Sequence, residues 1–373
     1  MSKKNKKLTE PTYLDSFTPI FILISSLALS VYLFGSDSSY GGNQISLILA
    51  TAIAASIGYK NGHKWEDIHN GITQGIHSAM GAILILLSVG MLIGTWILSG
   101  TVPAMLIYGL EIISPEWFYV SCCLASAIVA VSIGSSWSTA GTIGVGLMGI
   151  SISLSLDPAI TAGAIISGAY MGDKMSPLSD STNLAPSIAG SELFSHIRHM
   201  TWTTVPAFLI SLILFTFLGF IETTHIDSVE IKEISSAIKN EFNIGIHLLF
   251  PMIILFALAI AKVPALAAVI IGSFCGILFA MIFQQEAILR MVGNEHNLPS
   301  FLAIIKGVWT TTFDGYSSSN SNKVVNTLLS KGGMKSMLNM IWLIICALAF
   351  GGVMESVGLL KKLIDGVLKR VKT

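Results

Sequence analysis

Two carboxylates and a group of hydroxyl side chains lie close together in residues 167–186, which read SGAYMGDKMSPLSDSTNLAP. Asp173 and Asp180 are seven residues apart, and Pro177 stands between them. Because proline interrupts a helix and restricts the residue before it, helical spacing does not decide whether the two carboxylates share a face. We expect an unwound or re-entrant turn that brings both carboxylates together with the side-chain oxygens that follow them, those of Ser181, Thr182 and Asn183.

A second polar stretch, GSSWSTAGTIG at 134–144, interrupts an apolar segment with glycines and hydroxyl side chains. In lipid, a broken helix is tolerated only where protein or a water-filled cavity surrounds the freed backbone groups. Such a break exposes carbonyl oxygens, and carbonyl, hydroxyl and carboxylate oxygens can replace the water around a small cation. The hydroxyls of Ser136, Thr139 and Thr142 are therefore candidate cation ligands. The alternative interpretation is helix packing through small residues.

A carboxylate at bilayer depth suggests how these groups could work together. Its insertion costs about 2.5–3.5 kcal/mol, and burial favours the neutral form of a carboxyl group. Either a proton or a sodium ion neutralises it, so the two exclude each other. With alternating access, mutually exclusive loading is an exchange mechanism. The alternative is that Asp173 and Asp180 are solvated loop charges beside a membrane, and that the serine and threonine side chains only cap helix ends.

The composition places these groups in a membrane protein. The 373 residues are 53% hydrophobic and 11% charged, with mean hydropathy +0.74, whereas globular domains carry about 25% charged residues. Apolar runs close to or above 18 residues predict membrane helices. We therefore predict an all-α polytopic membrane protein with broken, re-entrant helices. The predicted spans are 18–35, 43–59, 76–98, 117–134, 201–221, 246–262, 264–283 and 337–358.

Charge and motif content exclude several functional classes. The net charge is zero, and no basic patch is interleaved with aromatic residues, so nucleic acid is not expected as a partner. The absence of a P-loop argues against an ATP-driven pump. The four cysteines have neither zinc-site nor disulfide-framework spacing. We expect no catalytic residues and no resident cofactor, only transported ions and a surrounding lipid bilayer.

A third polar stretch, FDGYSSSNSN at 313–322, is rich in glycine and serine. It is interpreted equally well as a second broken helix or as an exposed loop. No function is assigned to it from the sequence.

An internal repeat emerges when the sequence is shifted by 258 positions. Residues 75–100 then align with 333–358, and Gly75, Ser78 and Gly100 meet identical residues. Transporters are commonly built from inverted repeats of this kind, with the substrate site near the bilayer midplane. The second copy ends soon after its matched helix, so we expect an incomplete second repeat, through truncation, a frameshift or a split gene.

The repeat and the charges suggest a division of the chain. Four lysines within the first seven residues place the N-terminus in the cytoplasm by the positive-inside rule. We expect a cytoplasmic tail over 1–17, a membrane domain over 18–300 with the first repeat and connecting helices, and the start of the second repeat over 301–373.

Both polar stretches, together with LIICALAFGGVMESVGLL at 343–360, resemble the NhaC-type Na⁺/H⁺ antiporter family. The resemblance implies a secondary transporter of the bacterial inner membrane, not an enzyme, that exchanges cytoplasmic Na⁺ for external H⁺. It also implies that the family's polar motif positions correspond to Asp173, Asp180, Ser136, Thr139 and Thr142. Oxygen chemistry makes Asp173 and Asp180 the expected Na⁺-binding carboxylates.

Two other functions stay open at this point. Some relatives in the family exchange malate for Na⁺-lactate, which would make organic anions the substrate. A chain with an incomplete second repeat could instead be a non-transporting remnant or an assembly partner. The sequence is compatible with a homo-oligomer and does not fix the oligomeric state.

Overall fold

A computed structural model describes residues 8–371 except 113–114, 135, 145–146, 149, 152–153, 155, 178, 180–181, 183–185, 187–190, 223–227, 262, 294–297, 319, 321, 323–324 and 327–328. Every regular element in these residues is helical, which confirms the all-α prediction. Four described helices are long and apolar enough to cross a membrane, or up to six if each bent helix pair counts as one span. The four are Tyr13–Phe34, Leu193–Ile221, Leu266–Phe283 and Met334–Ser356.

The chain divides into two compact units, of which the first comprises Met1–Leu84 and Met337–Thr373. Its core is a cluster of buried apolar side chains that includes Ala54, Ile68 and Val353. An ion pair of 2.9 Å joins Lys60 to Asp15. The helices of this unit are α1 (Tyr13–Phe34), α2 (Gly42–Lys60), α3 (Trp65–Ser78), α15 (Leu338–Ser356) and α16 (Leu359–Val371).

Local sequence determines how these helices begin and how closely they pack. Thr12 caps α1 by accepting a hydrogen bond from the Asp15 amide, while the Asp15 carboxylate accepts one from the Thr12 amide. Glycine allows α3 and α15 to approach, because a Cβ atom on Gly71 would lie 2.6 Å from the carbonyl oxygen of Gly352.

The second unit, Ile85–Ser336, contains both polar stretches singled out above. Its helix α4 (Met80–Leu98) begins just before the division between the units. The other helices are α5 (Thr101–Ile112), α6 (Phe118–Ile133), α7 (Ser136–Thr139), α8 (Pro158–Met175), α9 (Leu193–Ile221), α10 (Ser228–Glu241), α11 (Phe250–Ile260), α12 (Ala265–Phe283), α13 (Gln285–Val292) and α14 (Ser300–Asp314).

Two predicted spans are interrupted in the structure. Two others, over 43–59 and 117–134, form helices α2 and α6, which are not among the candidate spans of the described residues. The apolar run predicted as one span over 76–98 is split, because α3 ends at Ser78 and α4 begins at Met80. The span predicted over 246–262 begins as a 3₁₀ turn, Ile246–Leu249, before α11, and the chain bends by 87° between Ser235–Glu241 and Ile246–Leu255.

The two aligned segments of the repeat share local geometry. Ser78 and Ser336 each donate a 2.7 Å hydrogen bond to the carbonyl three residues earlier, of Gly75 and Gly333 respectively. The glycines that follow the two matched helices have φ values of +80° and +75°, at Gly100 and Gly358. Hydroxyl bonds of this kind also occur at Ser99 and Ser356, so the repeat, the inversion of its second copy and the proposed division at 17 and 300 stay predictions.

Candidate functional site

Close packing of α6 against α8 positions the candidate site. A Cβ atom on Gly172 would lie 2.5 Å from both the Ala127 carbonyl oxygen and the Ala130 Cβ atom, and Gly168 is equally crowded by α6 backbone. Only glycine permits this approach, in the manner of small-residue packing in membranes. The C-terminal end of α6 is therefore held beside the C-terminal turn of α8.

The regular helical backbone is interrupted immediately after α6, as predicted from the polar stretch GSSWSTAGTIG at 134–144. Gly134 ends α6 in the left-handed conformation with φ +74°, which favours glycine. The four-residue turn α7 follows, and then a π-helical turn, Ala140–Gly144. Such π turns inside helices frequently occur at functional sites.

This break brings a hydroxyl to a carboxylate. The Ser136 Oγ donates a hydrogen bond of 3.1 Å to the Asp173 Oδ2. Ser136 is buried and Asp173 is half-buried near the end of α8. The structure thus joins the two polar stretches through one side-chain contact, although 37 residues separate the two partners.

The two threonines predicted in the broken helix stand in consecutive turns. Thr139 is fully buried at the end of α7. Thr142 lies in the π-helical turn, and its side chain is outside the described residues. Their binding of an ion stays a prediction.

The end of α8 is fixed by hydroxyl groups that donate to backbone carbonyls. Thr182 Oγ1 lies 3.0 Å from the Asp173 carbonyl oxygen and 3.1 Å from that of Lys174. Ser176 Oγ donates to the Val131 carbonyl at 2.8 Å, which ties this end to α6. The hydroxyl proton of Thr182 is used to cap the helix, which is the role that the alternative interpretation gave to the serine and threonine side chains.

The predicted effect of Pro177 on the helix is confirmed. Helix α8 ends at Met175, and Ser176 has the extended backbone conformation, φ −81° and ψ 126°, that precedes a proline. Fully buried Ser176 was missed as a site residue, although its position before Pro177 marked it. Predicted residues Asp180, Ser181 and Asn183 lie outside the described residues.

The chemistry of this site rests on one described carboxylate. In the part of the chain that the structure describes, no three His, Cys, Asp or Glu side chains cluster as a metal site would require. Among the described residues, the further ligands of a cation beside Asp173 would be hydroxyl and carbonyl oxygens. The Ser136 hydroxyl can either donate a hydrogen bond to the carboxylate or turn an oxygen lone pair toward a cation.

A second polar contact was missed at the other end of α8. The Tyr119 hydroxyl of α6 donates a hydrogen bond to the Glu222 carboxylate after α9. The Asp157 amide, at the N-cap of α8, donates to both groups, at 3.0 Å to the Tyr119 oxygen and 3.2 Å to Glu222 Oε1. These contacts join α6, α8 and α9 at the end away from Asp173.

A third cluster of polar contacts involves the stretch FDGYSSSNSN. Three donors converge on the Glu241 carboxylate of α10, namely Tyr316 Oη at 2.8 Å, Ser318 Oγ at 2.9 Å and Asn320 Nδ2 at 3.1 Å. Both Tyr316 and Ser318 are buried, so this part of the stretch is not the exposed loop that was one interpretation. Burial, followed by the neighbouring Glu241 charge, raises the pKa of the Tyr316 phenol, so the phenol stays a donor.

A family model described as the Na⁺/H⁺ antiporter family matches residues 168–373. The chain is 38% identical over 329 residues to the Na⁺/H⁺ antiporter NhaC of Alkalihalophilus pseudofirmus, covering 88% of this chain and 68% of that protein. It is 34% identical over 368 residues to an uncharacterized Na⁺/H⁺ antiporter of Haemophilus influenzae, covering 98% of this chain and 75% of that protein.

A third relative is named for different substrates. The chain is 36% identical over 329 residues to a malate-2H⁺/Na⁺-lactate antiporter of Bacillus subtilis, covering 88% of this chain and 67% of that protein. No solved structure matches the chain significantly.

Proposed function

The chain belongs to the Na⁺/H⁺ antiporter family, and from this membership we propose that it exchanges Na⁺ for H⁺ across the bacterial inner membrane. It is a multi-pass membrane transporter and not an enzyme. Na⁺ and H⁺ are its substrates, and we expect no resident cofactor. The lipid bilayer surrounds the apolar helices in this proposal, and a homo-oligomer is compatible with it.

The hydrogen bond between Ser136 and Asp173 is the observation that supports a mechanism. It connects a carboxylate to a broken helix, the combination of oxygen donors that can replace a cation's water. We assign the exchange to Asp173, which takes up either Na⁺ or H⁺. In the Na⁺-loaded state the Ser136 oxygen turns a lone pair to the ion, and in the H⁺-loaded state it contacts the neutral carboxyl group.

Electrostatics explains why the two ions compete. An uncompensated carboxylate at bilayer depth costs about 2.5–3.5 kcal/mol, and one positive charge removes that penalty. A second positive charge would meet a site that is already neutral. Under alternating access, inward and outward states exchange only when Asp173 carries one of the two ions, which couples the opposing gradients.

The remaining predicted ligands complete this proposal. Thr139 is buried beside Ser136 in the broken helix, and Thr142 belongs to the next turn. Asp180, Ser181 and Asn183 follow the end of α8 in sequence, and we propose them as further oxygen ligands. Thr182 holds the end of α8 through the carbonyl of Asp173 and so positions the carboxylate-bearing turn.

A second candidate is exchange of organic anions, favoured by the similarity to the malate-2H⁺/Na⁺-lactate antiporter. Reconstituted vesicles separate the two candidates. An imposed Na⁺ gradient should move protons when choline chloride is the only other salt, and malate or lactate should not change the rate. Flux that requires an added carboxylate would support the second candidate. Absence of flux under every gradient would contradict both and support a non-transporting chain.

A further inference from the structure

Two adjoining cavities lie beside α13 and α14, away from Ser136 and Asp173. Their volumes are about 430 Å³ and 170 Å³, and both are lined by Met291, Tyr316 and Ser317. The larger cavity falls within the size range of small-molecule sites, roughly 300–1,000 Å³. Neither cavity shares a lining residue with the proposed exchange site.

Lys306 lines the larger cavity and lies in the middle of an apolar helix. Its surroundings in α14 read FLAIIKGVWTTTF over 301–313, and the residue is half-buried. Partial burial of an ammonium group costs free energy unless an opposite charge or a hydrogen-bond partner compensates it. We therefore expect an opposite charge close to the Lys306 ammonium group.

No carboxylate in the described part of the chain supplies that counter-charge. Lys306 forms none of the ion pairs seen there. The acidic residue in the cavity wall, Asp314, pairs with Lys335 at 2.9 Å. Glu241, beside the smaller cavity, is occupied by its three donors, Tyr316 among them. Among the described residues, the ammonium group of Lys306 is therefore open to an anion that enters the cavity.

The rest of the cavity wall indicates what kind of anion fits. Thr310 stands one helical turn after Lys306 on the same face of α14, and exposed Ser317 adds a second hydroxyl. Met291 and Val292 supply an apolar wall. This cavity wall combines an ammonium group, hydroxyl donors and hydrocarbon. It therefore fits an anion with a charged head group and a short carbon chain better than it fits an inorganic anion.

A second positive charge lies next to this site. Arg290 lines the smaller cavity and donates from Nη2 to the Glu241 carbonyl oxygen at 2.7 Å. Its guanidinium group carries further donors that this single bond does not use. Arg290 thus adds a second cationic donor beside the shared wall at Ser317, next to the Glu241 carboxylate.

We propose that the larger cavity binds a small organic carboxylate, with its head group at Lys306 and its carbon chain against Met291 and Val292. Binding at this site requires neither Na⁺ nor exchange at Asp173. A failure of the proposed transport function would therefore leave this inference intact, and the reverse also holds.

The test uses the purified full chain in detergent, in Na⁺-free choline buffer of constant ionic strength. Thermal unfolding is followed during titration with the choline salts of formate, propionate, butyrate and succinate, and with phosphate and chloride. We expect saturable stabilisation by the organic acids, stronger for butyrate than for formate, because the longer chain reaches the apolar wall. Lys306→Gln should raise the half-saturating concentration at least about tenfold.

Matched variants identify the site. Lys331→Gln removes an exposed lysine that does not line the cavity and should leave binding unchanged. Lys306→Arg should retain binding, and Thr310→Val should weaken it while the charge is kept. If Lys306→Gln does not fold, these two variants decide the question.

Equal titration curves for Lys306→Gln and the unaltered chain would overturn the proposal. Phosphate or chloride acting as strongly as the organic acids would also overturn it, as would the lack of a saturable effect from any carboxylate. If the folded Thr310→Val variant binds as the unaltered chain does while Lys306→Arg has lost binding, Thr310 is not part of the site and the proposed pose is wrong.

Discussion

The Ser136 hydroxyl lies 3.1 Å from the Asp173 carboxylate, so a residue of the broken helix touches a residue of α8. The contact exists because α6 and α8 approach at glycines and because α6 ends at Gly134. In the proposed mechanism, exchange at Asp173 therefore depends both on the two polar groups and on the packing that places them together.

Asp173→Asn tests the carboxylate itself. We expect the variant to fold and insert, because an asparagine oxygen can still accept the Ser136 hydrogen bond, but to lose Na⁺-driven proton flux since it cannot take up a proton or balance Na⁺. Flux in reconstituted vesicles is the measurement. Asp37→Asn, at an exposed turn residue, is the control that should retain exchange. Exchange that survives in Asp173→Asn would assign the ion to another group.

Ser136→Ala tests the hydroxyl ligand. Loss of one oxygen from the Na⁺-loaded state should raise the half-saturating Na⁺ concentration about tenfold, equivalent to about 1.4 kcal/mol. The rate at saturating Na⁺ should change less. Ser211→Ala removes a hydroxyl that bonds only its own helix and should leave Na⁺ dependence unaltered. An unchanged Na⁺ dependence in Ser136→Ala would exclude this oxygen as a ligand.

Gly172→Ala tests the close approach of α6 and α8. The added Cβ atom would lie 2.5 Å from the Ala127 carbonyl oxygen, so the helices must separate at an expected cost of about 1–3 kcal/mol. The midpoint of thermal unfolding in detergent should fall. Gly163→Ala is the matched control in the same helix, because its Cβ atom would have its nearest neighbour at 3.9 Å, on Phe215. That substitution should be neutral or slightly stabilising.

A double-mutant cycle at Tyr316 and Glu241 tests the cluster of hydrogen bonds around the Glu241 carboxylate, which the sequence analysis did not find. Tyr316→Phe removes one of the three donors to a carboxylate, at an expected cost of about 1–3 kcal/mol in the free energy of unfolding. Tyr316→Phe should cost less when combined with Glu241→Gln, with a coupling energy of about 0.5–3 kcal/mol. Strictly additive effects in chemical denaturation would show that this hydrogen bond contributes no specific stability.

The contact at the candidate site was easier to anticipate from the sequence than the detailed hydrogen bonding around it. Asp173 and Ser136 stood out because polar groups are rare in so apolar a chain, and the structure places them in contact. Thr182 was identified as an oxygen source, yet its hydroxyl donates to the carbonyls of Asp173 and Lys174. Residue type shows that a hydroxyl is present, whereas its partner depends on how the chain turns after Pro177.

The cluster around Glu241 could not be found from the sequence. Its carboxylate belongs to SVEIKEISSAIKNE, one acid among several in a polar helix, and Tyr316 is 75 residues away. The stretch that contains Tyr316 was noticed but left between a broken helix and an exposed loop. Only the packing of that stretch onto α10 identified the shared partner.

By itself, the sequence determined that the chain is all-helical and apolar enough for a membrane, and that a broken helix and Pro177 interrupt it, because hydropathy and backbone restriction act over neighbouring residues. Tertiary structure alone decided which distant oxygens meet. It places Ser136 against Asp173, Glu241 against Tyr316, and Lys306 at a cavity without a carboxylate partner in the described chain. Such pairings depend on how closely helices pack and where they end, which local patterns do not encode.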